Sequence, residues 1–211
     1  MTRRILITAI VLFAVRVLAA ETNSTVAEAE EKYTQAIENR TADILKILDL
    51  GDTNKIARVH DAIIAQYRAL NAWHEANDAK LKAARQDTNA VAQIRASLKT
   101  LHDQFLARLA ENLSAGQIEA VKDKMTYGKV QFTFQGYVTQ YPHLSEAQQQ
   151  KILALLKEAR EEAMDGGSAQ EKTAVFQRYK GKINNYLAKE GVHPESKKTK
   201  TTDPVSTNPS R

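Results

Sequence analysis

Apolar residues recur every three or four positions in the first part of the chain, at Val26, Ala29, Tyr33, Ile37, Ile44 and Leu48, with Glu28, Glu30, Glu31 and Lys32 between them. That period gathers the apolar side chains on one face of a helix and the charges on the other. Gly51 closes the stripe, and Asp52 or Thr53 caps the next one, which runs through Ile56, Val59, Ile63, Tyr67, Leu70 and Trp73 or His74. A third stripe holds Val91, Ile94, Leu98, Leu101, Phe105 and Leu109, after a polar gap around Asp87 to Asn89. Three long amphipathic helices with short connections predict antiparallel packing, as in bundles.

The second half begins its helices with a repeated device. Leu113-Ser114-Ala115-Gly116-Gln117 and Leu144-Ser145-Glu146-Ala147-Gln148 share the pattern L-S-x-x-Q. In each, the serine hydroxyl accepts from the third helical amide and the glutamine reaches back to the serine's own amide, forming a capping box. Leu113 is placed to staple onto Ile118, whereas Gln149 stands at the matching position of the second start. Ser168 to Glu171 predicts a third capping box, after a helix expected to stop at Gly166-Gly167 with a left-handed cap.

Between Met125 and Pro142 the helical period fails. Tyr127, Phe132, Phe134, Tyr137 and Tyr141 supply five of the thirteen aromatic residues there, with Gly128, Gly136 and Pro142 as breakers. Val130, Phe132 and Phe134 alternate with Gln131, Thr133 and Gln135, as a strand would, but a lone strand has no partner. An extended loop laid over the helices is therefore expected, ending in a short helix through Tyr137. Past Gly191 almost nothing apolar remains, which predicts a disordered tail at 191–211. The fold class is all-α: about six helices within residues 21–190, and one irregular aromatic-rich segment at 127–142.

The N-terminus changes the picture of charge. Arg3 and Arg4 precede an apolar run from Ile5 to Val15, with Ala19 and Ala20 following, the layout of a cleaved secretory signal at 1–20. The run is too short for a membrane span of about 20 residues. An exported protein, periplasmic or extracellular and free of the membrane after cleavage, is expected. Removal of Arg3, Arg4 and Arg16 leaves twenty-seven of the thirty basic residues against twenty-five acidic ones, so the formal charge of +5 belongs largely to the leader. No concentrated basic patch remains to suit nucleic acid. The absence of cysteine excludes disulfides and thiolate metal sites.

Candidate chemistry concentrates near the C-terminal end. On a helix, Phe176, Tyr179, Ile183, Tyr186 and Leu187 share one face, and Arg178, Lys182, Asn185 and Lys189 share another. The polar face is a ledge of donors for hydroxyls or carboxylates of a sugar or peptide; equally, it is a solvated face beside an ordinary seam. Gly181, mid-helix, suggests close approach by a backbone or ligand. Tyr127, Tyr137 and Tyr141 could offer rings to the apolar face of a sugar, with Gln131 bonding its hydroxyls, or could lid the core. Glu158, Glu161, Glu162 and Asp165 invite a glycosidase reading, but no pocket signature accompanies them. None of the five histidines stands three or four residues from another, so no metal spacing exists, and no nucleophile elbow, P-loop or dinucleotide-binding pattern is present. No cofactor, no metal and no catalytic residue is expected.

The segments MTYG (Met125 to Gly128), Gly136-Tyr137, the P-x-L-S-x-x-Q run from Pro142, EAREEAMDGGSAQEK (Glu158 to Lys172) and YKGKINNYL (Tyr179 to Leu187) resemble domain-of-unknown-function family 3826, a bacterial secreted family described as sugar-binding. The resemblance is strong from Leu113 to Leu187. It implies an exported, non-catalytic protein of polysaccharide handling, with carbohydrate as partner. The candidate ligand residues are Tyr127, Gln131, Tyr137, Tyr141, Arg160, Arg178, Lys182, Asn184 and Asn185. The L-S-x-x-Q starts are also similar to the L-T-x-x-Q starts of periplasmic stress chaperones, which implies the alternative: a helical protein that cradles unfolded clients on an exposed apolar stripe.

Overall fold

The computed structural model describes residues 5–195, and their side chains from residue 26 onward. Residues 1–4 of the expected leader and the tail from 196 fall outside the described residues. Seven helices follow one another: α1 (Ile5–Lys46), α2 (Thr53–Ala83), α3 (Thr88–Ala110), α4 (Ala115–Met125), α5 (Lys129–Gln140), α6 (Glu146–Met164) and α7 (Ala169–Lys189). No strand occurs among the described residues. No helix among them is long and apolar enough to cross a membrane.

The caps follow from the sequence. The Asp52 carboxylate accepts from the amides of Asn54 and Lys55, and Asp87 does the same for Asn89 and Ala90, so each satisfies orphan donors at a helix start. Both L-S-x-x-Q boxes form in full, at Ser114/Gln117 and Ser145/Gln148. At the third start, Ser168 accepts from the Glu171 amide, but the Glu171 carboxylate turns to the Gly167 amide at 2.8 Å, so only half of the expected box exists. Gly191 (φ 70°) closes α7: the Val192 amide donates to the Leu187 carbonyl and the Gly191 amide to that of Ala188. Val192 then packs on the core, and the Glu195 amide donates to the Gln140 carbonyl. The chain is thus seated against α5 for four residues beyond the expected start of the tail.

Two apolar cores share the work. The first joins α1 to α4 through Ile37, Ile44, Val59, Ile63, Leu109 and Val121, with Met164 of α6 inserted into it. Ile152, Leu156, Ala159, Phe176 and Ile183 form the second, between α5, α6 and α7. Each fully buried aliphatic side chain contributes about 1.5–3 kcal/mol.

The expected irregular segment at 127–142 is corrected: most of it is α5. Val130, Thr133 and Tyr137 are buried at helical spacing, and Phe132, the middle of the apparent strand, is 80% exposed. Alternation had put Phe132 on the face with Val130, but the backbone meets its own hydrogen-bonding needs only by coiling, because no second strand is near. Gly136 sits exposed within the helix, where no break is forced.

Two further expectations about glycine are corrected. A Cβ on Gly181 would meet nothing within 4 Å, so no neighbouring backbone or side chain crowds it. Gly166 and Gly167 do not adopt the left-handed conformation; α6 is capped at Asp165 instead. Their small size is what counts. A Cβ on Gly167 would lie 2.7 Å from His74 Cγ, so the loop presses against α2 only without a side chain there, and one on Gly166 would lie 3.1 Å from Lys172 Cγ at the start of α7.

Candidate functional site

The structure separates the predicted ligand residues. Tyr137 and Tyr141 stack at 6.0 Å inside the second core, and the Tyr137 hydroxyl donates to Asn184 Oδ1 at 2.8 Å. Tyr137 is only 6% exposed, and burial pushes its hydroxyl up to about 12. These two rings and Asn184 pin α5 to α7 and present no platform, because the helical turn that buries Val130 also turns Tyr137 inward. Arg160 is 2% exposed and is likewise withdrawn from solvent. Arg178 is engaged by Glu162, and the Lys182 ammonium lies 3.8 Å over the Tyr179 ring. Asn185 and Gln131 are exposed with no partner among the described residues. Of the nine, Tyr127 lines a cleft between the helices.

That cleft, ≈ 620 Å³, opens between α1, α2, the α4–α5 corner and the start of α7. Arg40 and Asp43 come from α1, Tyr67 from α2, Asp123 and Lys124 from α4, and Lys172 from α7. A recess of ≈ 80 Å³ sharing Arg40, Tyr67, Tyr127 and Lys172 continues toward Tyr33 and the Gly166-Gly167 loop. MTYG and DGGSAQEK, two of the segments that carried the family resemblance, thus converge here.

Each lining group has a local cause. Tyr127 is a non-glycine residue at φ 60°, followed by Gly128 at φ 63°. The left-handed conformation costs a side-chain-bearing residue about 1–2 kcal/mol, and here it turns the chain from α4 into α5 and leaves the ring 48% exposed at the rim. Tyr67 is held by α2's buried stripe; burial raises its hydroxyl to about 12, against the lowering effect of Arg40. That hydroxyl makes no hydrogen bond among the described residues, while the Tyr33 hydroxyl donates to the Tyr67 carbonyl at 2.8 Å.

Lys172 is the unusual member. Its residue is 5% exposed, and its ammonium donates to the Met125 carbonyl at 3.0 Å, its sole hydrogen bond among the described residues. Burial above all, and Arg40 after it, lower it to about 8 against the opposing pull of Asp165 and Glu171. Arg40 itself has no ion pair or hydrogen bond among the described residues. Sequence reasoning missed Arg40, Tyr67 and Lys172 as site residues, though one signal was present. Lys172 stands four positions before Phe176, on the apolar stripe of α7.

Beneath the cleft lies a charge network that explains the candidate acids. His102 Nδ1 donates to the Asp165 carboxylate at 3.0 Å, and its Nε2 lies 3.7 Å from Glu161. Those carboxylates push His102 up to about 9. Burial works to raise Glu161, but His102, Lys122 and Arg160 outweigh it and hold it at about 2. Three of the four acids that invited a glycosidase reading, Glu161, Glu162 and Asp165, are therefore fastened to cations, and the fourth, Glu158, is exposed on α6. Because His102 binds its proton more tightly in the folded state, its contribution is complete below pH 6.5 and is lost as pH rises through about 9. The stability difference between the native chain and His102→Gln should be about 1–3 kcal/mol at pH 6 and shrink toward zero above pH 9, allowing for partial screening by solvent. Urea unfolding at a series of pH values measures it.

His74 provides the one cluster of metal-ligand type found among the described residues. Its Nδ1 and carboxylate oxygens of Asp78 and Glu171 lie within 4.8 Å of one another. Its Nε2 donates to the Asp165 carbonyl at 2.8 Å, which leaves Nδ1 facing the two carboxylates. Burial disfavours the charged ring, but the Asp165 carbonyl and Asp78 prevail and raise its pKa, so a proton shared with Asp78 satisfies the geometry. Sequence spacing could not reveal the group, since Glu171 comes from another helix.

No curated protein matches the chain. A family model does, over residues 34–204, which takes in the buried residues of both cores and the lining of the ≈ 620 Å³ cleft. The chain belongs to the family described as Protein of unknown function (DUF3826).

Proposed function

We propose that this is an exported, non-catalytic carbohydrate-binding protein whose site is the cleft bounded by Arg40, Tyr67, Tyr127 and Lys172. The observation that carries it is Tyr127: a half-exposed ring held by left-handed backbone at the rim of a ≈ 620 Å³ cleft. Sites for small ligands span roughly 300–1,000 Å³. A rigid ring suits the apolar face of a pyranose. Around it the Tyr67 and Tyr33 hydroxyls and two cations supply polar contacts.

The two carboxylates that line the cleft support binding over hydrolysis. Asp43 lies 2.9 Å from Lys46, which holds it below the usual carboxylate range, and Asp123 lies 2.7 Å from Arg160. A glycosidase needs one acid raised to donate a proton. The client-binding alternative asks for a continuous apolar stripe. Among the described side chains from residue 26 to the end of α3, the exposed large apolar ones are Val26 on α1 and Ile47 just past its end, about six turns apart.

Calorimetry of the purified chain against plant and algal oligosaccharides, with product analysis of the same samples, tests this function. Saturable heat with intact sugars is expected. Tyr127→Ala should weaken binding roughly tenfold, the equivalent of about 1.4 kcal/mol, and leave the helical circular dichroism unchanged. Equal affinity in that variant would remove the ring from the site, and sugar cleavage would make the protein an enzyme.

A further inference from the structure

We infer that the cleft takes an acidic saccharide, with a sugar carboxylate seated between Arg40 and Lys172. This rests on the carbohydrate-binding function proposed above and adds the class of sugar.

Among the described residues two cationic side chains are deeply buried, Arg160 and Lys172, and the fold treats them in opposite ways. Arg160 is surrounded by carboxylates, with Glu119 at 2.6 Å, Asp123 at 2.7 Å and Glu161 at 3.1 Å. Lys172 has no carboxylate within ion-pair distance among the described residues, and its ammonium is met by one carbonyl. A buried ammonium without an anionic partner is costly, because burial removes its hydration and nothing of opposite charge replaces it.

The surroundings do not relieve that cost. Arg40, lining both parts of the cleft, adds a second positive charge beside Lys172. Lys124 adds a third at the mouth. Of the acids there, Asp43 is matched to Lys46 and Asp123 to Arg160. The cleft is left with positive charge that the folded chain does not neutralise. Asp165 and Glu171 act on Lys172 from the α6–α7 side, but they are committed to His102 and to the Gly167 amide.

The donors also define what the missing partner is. Guanidinium and ammonium groups donate only, so they call for an acceptor, and a neutral sugar hydroxyl is a poor match for two cations that have no anionic partner. A carboxylate offers two oxygens, which suits the fork of an arginine together with a lysine. Carried on a pyranose ring, it would leave the ring's apolar face free to meet Tyr127, and the Tyr67 hydroxyl to meet a ring hydroxyl.

The test is calorimetry of the full chain at pH 7 with a uronic-acid oligosaccharide and with the same oligosaccharide after its carboxyl groups have been reduced to primary alcohols. The uronate is expected to bind at least tenfold more tightly. Arg40→Gln and Lys172→Met should each reduce that preference to less than threefold while retaining weak binding of the reduced sugar. Arg40 is exposed, so its variant keeps the comparison sound if Lys172→Met alters folding. Equal affinity for the two sugars, or a preference that survives both substitutions, overturns the acidic-sugar inference and leaves carbohydrate binding standing. Silence with both of these and with every neutral oligosaccharide overturns the two together.

Discussion

Lys172→Met should raise the melting temperature of the ligand-free protein, although it removes a side chain from the candidate site. Below about pH 8 the folded state carries a buried ammonium whose pKa has fallen from 10.5 to about 8. Each unit of such a shift corresponds to about 1.4 kcal/mol, so the penalty is on the order of 3–4 kcal/mol before relaxation, which reduces it. Methionine has a similar length and no charge. It forfeits the hydrogen bond to the Met125 carbonyl, worth about 1 kcal/mol, and the net gain should be about 1–2 kcal/mol. That corresponds to roughly 2–8 °C for a chain of this size. The sign has a distinct pH signature. The unfolded chain holds this proton up to about pH 10.5 and the folded chain up to about pH 8, so the advantage of the variant is complete below pH 8 and fades as pH climbs between those values. A scanning calorimetry series from pH 6 to pH 10 checks it. A destabilised variant at pH 7 would mean that the ammonium is satisfied within the fold, and the case for an external anion would weaken with it. Sites of function are where proteins retain such costs.

Arg160→Ala should be the most damaging of the substitutions discussed. The guanidinium is buried and joins α6 to α4 through Glu119 and Asp123. Its removal leaves a void, takes the main partner from Glu119 and Asp123, and takes one of three cations from Glu161. Breaking a buried pair costs about 3–5 kcal/mol when the remaining charge stays dry. Glu119, Asp123 and Glu161 are between 36% and 45% exposed and can partly rehydrate. We expect a loss of about 2–4 kcal/mol by urea unfolding, with Arg160→Met recovering part of it through packing. A change below 1 kcal/mol would show that the network holds without its centre. Arg160 also has a bearing on ligand binding at a distance, because Asp123 lines the cleft. Without its arginine, that carboxylate would compete for Lys124 and reduce the positive charge offered to a ligand.

The helices, their starts and their buried faces were largely legible in the chain because they depend on neighbours three or four residues apart. Ser114 and Ser145 with their glutamines, Asp52 before α2, and the Phe176–Tyr179–Ile183–Leu187 face of α7 all obey that range. The aromatic segment was misleading for the same reason. Its local pattern fits a strand and a helix about equally, and the choice lay with α6 and α7, which bury Val130 and Tyr137 and leave Phe132 in water. Gly166-Gly167 read as a helix stop, but its requirement for small residues comes from His74 on α2, ninety residues away in the chain and in contact only after folding.

What the sequence determined by itself was an all-α chain with its caps and stripes, since period, capping and side-chain size act locally. What the tertiary structure decided was which charges find partners. Arg160 and Lys172 look alike as basic residues on amphipathic helices, yet one meets three carboxylates and the other meets a carbonyl. Arg40, Tyr67, Tyr127 and Lys172 come from four separate stretches, and no local pattern relates them. They become a site because packing α1, α2 and α7 around the α4–α5 corner removes water from Lys172 without supplying an anion, and solvation and charge pairing depend on distances in space.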